Sequence, residues 1–308
     1  MYRRVVNTQI PVSVNYFITR RCNKECGFCF HTAKTSNTAP LEDAKRALAL
    51  LKHAGMRKIN FAGGEPFINP KFLGDLLQYG KETLELESAS IVSNGSLIRE
   101  SWLRKYGQHL DILAISCDSF DEKTNIRIGR GNGDNVKQLF RIRDWCLRYG
   151  IKFKLNTVVC RYNFDEDMVQ RVTELDPFRW KCFQVLKVEG ENDNNKTLRD
   201  VREFEIEDRE FEAFCRRHKR LPFFVPESNR VMADSYLLLD ENLRFISGTN
   251  KTITSRSILE VGVQEALRAV NWDQQAFHER GGVYEWTKDE LDAGKDGCGS
   301  ELATGLDW

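Results

Sequence analysis

Short apolar runs alternate with amphipathic stretches along the first 190 residues. The run SVNYFIT at 13–19 has the composition of a strand. The stretch at 40–54 has early acidic residues, an apolar stripe and Gly55 after it, which predicts a helix. Strands are predicted at 13–19, 58–62, 89–93, 112–116, 152–159 and 180–185, and helices at 40–54, 70–83, 99–106, 135–149 and 165–174. These repeats indicate an α/β fold with parallel strands, either a doubly wound sheet or a full or partial (β/α) barrel.

The pattern changes near residue 190. A helix is predicted at 208–217 and a hairpin at 235–246, without further strand–helix repeats. We therefore predict a core over residues 1–190 and an extension over residues 191–308 that packs on it as part of the same structural unit. The glycine-rich segment 293–305 predicts a mobile loop or tail.

Composition and charge exclude several functional classes. The net charge of +1 over 308 residues gives no global field that would attract nucleic acid or a membrane surface. No apolar run approaches the ~18 residues of a membrane span, and the N-terminal segment has no apolar signal region. Nine cysteines, an odd number with several inside predicted elements, favour a reducing compartment, so we expect a cytoplasmic protein.

Three cysteines follow the first predicted strand with the spacing Cys22-x3-Cys26-x2-Cys29. Thiolates are soft ligands that suit iron–sulfur clusters and zinc. Three ligands on one loop hold three irons of a 4Fe–4S cluster and leave the fourth iron open. The alternative is a closed zinc site with His31 as the fourth ligand, but the short Cys-x-His spacing is tight for one tetrahedral ion.

Several polar residues occupy positions on predicted strands. They are Asn15, Lys58, Lys154, Asn156, Arg179 and Lys181. Lys154 and Asn156 are two residues apart and share one face of their strand, as do Arg179 and Lys181. Cations that converge on a barrel lumen favour an anionic ligand such as a triphosphate, whereas the alternative is that they face outward and are solvated. No P-loop of the form GxxxxGK[ST] is present.

These motifs carry a resemblance to a known family. The cysteine motif after strand one and Gly63-Gly64-Glu65-Pro66 after strand two resemble the radical S-adenosylmethionine superfamily. The runs CNKECGFCFHTAKTS, INFAGGEPF, IVSNGSLI, DILAISCDSFDE and GGVYEW resemble the viperin family within it, over about residues 11–286. The resemblance implies a partial (β/α)6 TIM-like barrel with a C-terminal extension. It also implies an antiviral-type enzyme that removes the 3′-hydroxyl of a ribonucleoside triphosphate, with CTP the first choice and UTP the second.

The resemblance also implies roles for individual residues. Cluster ligands are Cys22, Cys26 and Cys29; S-adenosylmethionine ligands are Gly63, Gly64, Glu65, Ser93, Asn94, Ser116 and Arg130; nucleotide ligands are Asn15, Lys58, Lys154, Asn156, Arg179, Lys181 and Glu227. The 5′-deoxyadenosyl radical would abstract hydrogen from C4′ of the ribose. Tyr236 would donate to the substrate radical, although packing in the apolar run DSYLLL is the plainer explanation.

Partners and rival functions complete the expectations. The resemblance implies an electron donor, and capture by the cytosolic iron–sulfur assembly machinery through Trp308. Full-length relatives carry a membrane-anchoring helix, and we expect none in this chain because the cysteine motif begins at Cys22. A peptide- or metabolite-modifying radical enzyme is one rival, but only Cys298 follows Cys215, which argues against a second cluster. A non-catalytic interaction protein that retains the fold is another. Base discrimination is expected in loops, with 247–256 as a candidate.

Overall fold

The strands of this protein form a single sheet. The computed structural model describes residues 9–288. The strands are β1 (Ser13–Phe17), β2 (Lys58–Ala62), β3 (Ser88–Ser93), β4 (Ile112–Ser116), β5 (Lys152–Val159), β6 (Arg179–Gln184), β7 (Phe224–Glu227), β8 (Leu238–Leu239), β9 (Arg244–Ile246) and β10 (Thr254–Ser257). Their order across the sheet is β10-β9-β8-β1-β2-β3-β4-β5-β6-β7. All neighbours from β8 through β1 to β7 pair in parallel, which confirms the predicted parallel α/β arrangement.

Helices lie between the parallel strands and after the last strand. They are α1 (Leu41–His53), α2 (Pro70–Gln78), α3 (Glu100–Tyr106), α4 (Glu122–Ile128), α5 (Asn135–Arg148), α6 (Val169–Leu175), α7 (Asp208–His218), α8 (Asn229–Met232), α9 (Ile258–Val261), α10 (Val263–Leu267) and α11 (Gln274–Glu279). Helix α1 shows why the sequence folds this way. Ala44, Ala47, Leu48 and Leu51 are buried at helical spacing, while acidic residues in the first turn and basic ones in the last complement the helix dipole.

Three local predictions differ from the structure. The helix predicted at 70–83 is α-helical only as far as Gln78 and continues as a π-helical turn, Tyr79–Thr83. Helix α4 was not predicted. Helix α6 begins later than the predicted residue 165, because Glu166 accepts hydrogen bonds from Ser119 Oγ at 2.6 Å and Phe120 N at 2.9 Å. These bonds hold the start of the segment against the loop after β4.

Alternation along the strands separates two environments. Tyr16, Phe61, Ile91 and Trp180 are fully buried in the main hydrophobic core. The intervening positions, including Asn15, Lys154 and Lys181, line the interior of the curved sheet. Because side chains alternate between the two faces of a strand, the polar residues of several strands meet inside the barrel.

Residues after position 190 extend the same sheet. The predicted hairpin at 235–246 is present, with Leu238 opposite Ile246 in an antiparallel pair. Residues 280–288 then pass the start of β3, where Ser88 Oγ donates to Trp286 O at 3.1 Å. The predicted loop or tail at 293–305 and Trp308 lie outside the described residues. Within residues 9–288, no helix has both the length and the apolarity required to span a bilayer.

Candidate active site

A cavity of about 340 Å³ occupies the barrel interior. Fifteen of the predicted site residues line it: Asn15, Cys22, Cys26, Cys29, Lys58, Gly63, Gly64, Ser93, Asn94, Ser116, Arg130, Lys154, Asn156, Lys181 and Tyr236. The other three, Glu65, Arg179 and Glu227, contact residues that line it. The cavity therefore brings together residues that are far apart in the sequence.

The cysteine loop is anchored to the segment after α4. Gly27 N donates to Ile128 O at 3.0 Å, and Cys26 Sγ donates to Gly129 O at 3.6 Å. Burial raises the pKa of the Cys26 thiol to about 12, and it also raises the pKa values of Cys22 and Cys29. Metals bind thiolates and not thiols, so cluster binding requires these three cysteines to lose their protons.

The donor set fits a cluster better than a single ion. Three free thiols from one loop line the same cavity. Within residues 9–288, no group of three or more His, Cys, Asp or Glu side chains is placed so that it could hold a metal ion, and this applies to the three cysteines as well as to His31. The ring of His31 packs on Phe17, with the centroids 4.5 Å apart, and Cys29 Sγ bonds the His31 backbone oxygen rather than its ring. The structure therefore does not support the zinc alternative with His31 as a ligand.

Two glycines bring the loop after β2 against the chain that leads to the cysteines. Gly64 N donates to Thr19 O at 2.7 Å. Gly63 has a φ of +137°, and a Cβ there would lie 2.5 Å from Thr19 O; a Cβ on Gly64 would lie 2.0 Å from Arg21 O. Only glycine fits at both positions, because backbone atoms occupy the space of a side chain.

The Glu65 carboxylate points into the protein. It accepts hydrogen bonds from Phe67 N at 3.0 Å, Ser93 Oγ at 2.8 Å and Asn94 N at 2.8 Å, and burial raises its pKa. These bonds tie the loop after β2 to the end of β3. The prediction that Glu65 contacts the cofactor stays a prediction; the bonds shown here position Ser93 and Asn94 at the cavity wall.

Arg130 is held at the cavity by Asp118. Arg130 Nε donates to Asp118 Oδ2 at 2.7 Å, and the fully buried Asp118 also accepts from Val158 N at 2.9 Å. No other hydrogen bond joins the Arg130 guanidinium to the described residues. Ser116 lines the same wall. Arg130 and Ser116 are thus available to a carboxylate ligand, which guanidinium groups bind well.

Five basic side chains surround one end of the cavity. They are Lys58, Lys154, Arg179, Lys181 and Arg280. Burial and the neighbouring cations lower the pKa of Lys58 to about 7 and that of Lys154 well below its usual range. Burial likewise lowers the pKa of Lys181 to about 8, although Glu227 opposes the change. Such shifts indicate positive charge that the protein only partly compensates.

Glu227 compensates part of this charge. It forms an ion pair with Lys181, and its Oε1 lies 3.5 Å from Arg280 Nη1. Although burial opposes ionisation of Glu227, Lys181 and Arg280 outweigh it and lower the pKa. The side chain of Lys154 has no hydrogen bond or ion pair with any described residue. The guanidinium of Arg179 lies over the ring of Tyr284, 4.3 Å from its centroid.

Tyr236 stands at the edge of this basic group. Its hydroxyl donates to Glu227 and accepts from Lys181 Nζ at 2.9 Å. The guanidinium of Arg280 lies 3.8 Å from the ring centroid. Tyr236 also lines the cavity, so its side chain is not confined to the packed core.

Sequence reasoning missed several residues of this site, of which three bear on its chemistry. Arg280 and Tyr284 belong to the C-terminal segment that passes the barrel, and Asn60 lies on β2. Asn60 Nδ2 donates to Asn15 Oδ1 at 2.8 Å and thereby fixes the Asn15 side chain. Its position two residues after Lys58 was an available signal, whereas no local pattern indicated Arg280.

Comparisons with known proteins agree with this arrangement. The Radical SAM superfamily matches residues 16–175, from β1 to α6. The chain is similar to S-adenosylmethionine-dependent nucleotide dehydratase RSAD2 of Oncorhynchus mykiss, with 52% identity over 299 residues, covering 94% of this chain and 86% of that protein. The corresponding protein of Danio rerio is 54% identical, covering 91% and 80%. An S-adenosylmethionine-dependent nucleotide dehydratase of a Thermoplasmatales archaeon is 37% identical, covering 89% and 96%.

Solved structures show the same fold. Native anSMEcpe with bound AdoMet and Kp18Cys peptide superposes with a TM-score of 0.65 at 15% identity, covering 87% of this chain and 82% of that one. Streptococcus suis SuiB bound to S-adenosylmethionine superposes with a TM-score of 0.59 at 18% identity, covering 76% of this chain and 59% of that one. The predicted partial TIM-like barrel and the resemblance to the viperin family are confirmed. The chain belongs to the radical S-adenosylmethionine superfamily and, within it, to the family of S-adenosylmethionine-dependent nucleotide dehydratases.

Proposed function

We propose that this protein dehydrates a pyrimidine ribonucleoside triphosphate, CTP first and UTP second, to its 3′-deoxy-3′,4′-didehydro form. The observation that carries the proposal is the excess of buried basic side chains over carboxylates at one end of the cavity. Five cations surround one end of the cavity, whereas Glu227 is the carboxylate that contacts Lys181 and Arg280 there. Burial lowers the pKa values of Lys58, Lys154 and Lys181, and a bound polyanion would stabilise their charged forms. An antiviral-type role is part of the same proposal.

The cysteine loop and the walls near it would hold the cofactors of the superfamily. Cys22, Cys26 and Cys29 would bind the 4Fe–4S cluster through their thiolates. Ser93, Asn94, Ser116 and Arg130 line the cavity near that loop and would bind the polar groups of S-adenosylmethionine. When bound, these cofactors supply the 5′-deoxyadenosyl radical that removes hydrogen from C4′ of the ribose.

The protein's own contribution is position and charge. Lys154 and Arg179 have no carboxylate partner among the described residues, so both are available to phosphate oxygens. Fixing the triphosphate at this end of the lumen would direct the ribose toward the cysteine loop. Asn15 and Asn156 face the same space; Asn156 Oδ1 is buried without a partner and would accept a hydrogen bond from a ribose hydroxyl.

Tyr236 would complete the reaction. After loss of hydrogen from C4′, the 3′-hydroxyl leaves as water once one electron and one proton are supplied, and the C3′–C4′ bond becomes an alkene. The Tyr236 phenol can provide both, and the external electron donor and solvent would then return an electron and a proton to the resulting tyrosyl radical. Its hydrogen bonds to Glu227 and Lys181 hold the ring at the cavity wall beside the phosphate-binding cations.

The decisive experiment measures 5′-deoxyadenosine and dehydrated nucleotide together. The reconstituted protein is given S-adenosylmethionine, dithionite and each of the four ribonucleoside triphosphates in turn. Strong stimulation by CTP or UTP, with matching dehydrated product, is the expected result. Cleavage that no nucleotide stimulates would refute the substrate assignment and favour a peptide or metabolite substrate. An absence of both cluster and cleavage would favour a non-catalytic role.

A further inference from the structure

One corner of the cavity lies on the β8 side of β1, next to Cys29, whose Sγ donates to His31 O at 3.5 Å. Phe17, Phe30, His31 and Gly248 line it. Gly248 follows β9, on the β8 side of β1, whereas the predicted cofactor residues follow β2, β3 and β4 on the other side. The site proposed for the triphosphate and cofactors therefore leaves this corner without an assigned ligand.

The corner contains buried polar atoms without partners. Neither ring nitrogen of His31 has a hydrogen bond, although the residue is only 3% exposed. Lys251 Nζ is likewise buried and unpartnered, 5.5 Å from the ring centroid of Phe30 and 5.9 Å from that of Phe17. Such atoms are unfavourable unless a ligand satisfies them. Aromatic rings beside unsatisfied donors and acceptors suit a planar, polar heterocycle.

Tyr236 connects this corner to the cations. Its hydroxyl bonds Lys181, while its ring packs against a small cluster that contains Phe17 and Leu238. A nucleotide with its phosphates at the cations and its ribose beside Tyr236 would thus direct its base toward Phe17 and His31. The two ends of the substrate would occupy the two chemically distinct ends of the cavity.

The Glu241 carboxylate lies beside the His31 ring, at a distance where it acts on the ring through its charge and not through a hydrogen bond. Glu241 Oε1 accepts from Arg20 Nε at 2.9 Å and from Thr35 Oγ1 at 3.0 Å, which fixes the carboxylate. Its Oε2 has no hydrogen bond and lies 4.0 Å from His31 Nε2. A carboxylate can only accept, so it favours the tautomer with hydrogen on Nε2. Nδ1 is then left as a free acceptor.

We propose that His31, oriented by Glu241, binds the edge of the nucleobase and favours the 4-amino group of cytosine over the 4-oxo group of uracil. The proposal rests on the proposed function, because it assumes a nucleotide substrate. Cytosine offers a donor at its 4-position, whereas uracil offers an acceptor there, which would face the lone pair of Nδ1. A mismatched buried hydrogen bond costs about 1–3 kcal/mol, so one such contact supports roughly tenfold discrimination or more.

The test is the ratio of kcat/KM for CTP to that for UTP, measured in competition on reconstituted enzyme. We expect wild type to favour CTP. His31→Leu should lower the ratio about tenfold, mainly by lowering kcat/KM for CTP. In Glu241→Gln the side-chain amide can donate a hydrogen bond to Nε2, so the imidazole hydrogen would lie on Nδ1 instead. This variant should therefore move the ratio toward UTP. Asn37→Ala is the matched control, since Asn37 is exposed on the same segment and should not change the ratio.

Binding and cluster content keep the outcomes distinct. Rates are normalised to iron and sulfide content, because His31 is close to Cys29 in the sequence, and calorimetric titration with CTP and UTP gives the same ratio without turnover. A wild-type preference for UTP, or variants with an unchanged ratio, would overturn this proposal while leaving the nucleotide substrate intact. If neither nucleotide binds wild type nor stimulates cleavage, the proposed function itself fails.

Discussion

The guanidinium carbon of Arg280 lies 3.8 Å from the ring centroid of Tyr236. This contact joins the C-terminal segment to the barrel wall, and the Glu227 carboxylate contacts both residues. A cation positioned over an aromatic ring is stabilised by the ring's negative face. The same contact places the charge of Arg280 inside the cavity and restricts the position of Tyr236.

Replacing Arg280 should weaken nucleotide binding selectively. For Arg280→Met we expect KM for the triphosphate to rise roughly 10- to 100-fold, the loss typical of a charge-assisted hydrogen bond. Cleavage of S-adenosylmethionine without nucleotide should be unchanged. Arg268→Met is the control, because Arg268 is exposed. An unchanged KM would contradict a phosphate-binding role for Arg280.

Nucleotide binding should take up protons near pH 8. In the free protein, burial and the neighbouring Lys181, Arg179 and Arg280 lower the pKa of Lys58 to about 7, and Asp111 only partly opposes this. At pH 8 Lys58 is therefore largely neutral, and a bound polyanion raises its pKa and protonates it. Affinity should consequently fall as pH rises from 7 to 9.

Calorimetry in two buffers of different ionisation enthalpy measures this uptake. Lys58→Met should remove much of it, whereas Lys219→Met, which changes an exposed lysine, should not. Equal heats in both buffers for wild type would show that no proton is taken up.

Gly64→Ala should impair cluster loading. The new Cβ would lie 2.0 Å from Arg21 O, so the chain before Cys22 must move, at an expected cost of about 1–3 kcal/mol. We expect a several-fold loss of iron and sulfide per protein after reconstitution. In Gly107→Ala the nearest atom lies 3.4 Å from the new Cβ, so loading should be normal. Full loading of Gly64→Ala would show that the loop adapts without effect on the cysteines.

Tyr236→Phe should separate cleavage from dehydration. The ring and its contact with Arg280 remain, but the hydroxyl that bonds Glu227 and Lys181 is lost. We expect 5′-deoxyadenosine to form while the dehydrated nucleotide falls by an order of magnitude or more, a range typical for removal of a group that transfers a proton.

Tyr162→Phe is the matched control for this prediction. The guanidinium of Arg127 lies 3.8 Å from the ring centroid of Tyr162, and Tyr162 does not line the cavity. Product and 5′-deoxyadenosine that stay equal in Tyr236→Phe would exclude the hydroxyl as the donor.

Much of the architecture could be predicted because it depends on local patterns. Parallel strands follow from short apolar runs between amphipathic helices, and the alternation along β5 correctly placed Lys154 and Asn156 on one face. The cysteine motif is contiguous, so its three thiols reach one cavity whatever the rest of the fold does. Helix α6 was predicted to start too early because the bonds of Glu166 to Ser119 and Phe120 are not local to that segment.

The sequence by itself determined where the reactive and polar residues lie along the chain: a thiol loop after β1, a glycine turn after β2, Lys154 with Asn156 on β5, and Arg179 with Lys181 on β6. Only the tertiary structure decided the charge balance and the hydrogen bonds of the site. Glu227 meets Lys181 across 46 positions, Lys58 meets Tyr284 across 226, and Arg20 joins Glu241 behind His31 across 221. Periodicity tells which face a residue occupies, but it cannot tell which distant side chain shares that space, because this depends on how the whole sheet curves and closes.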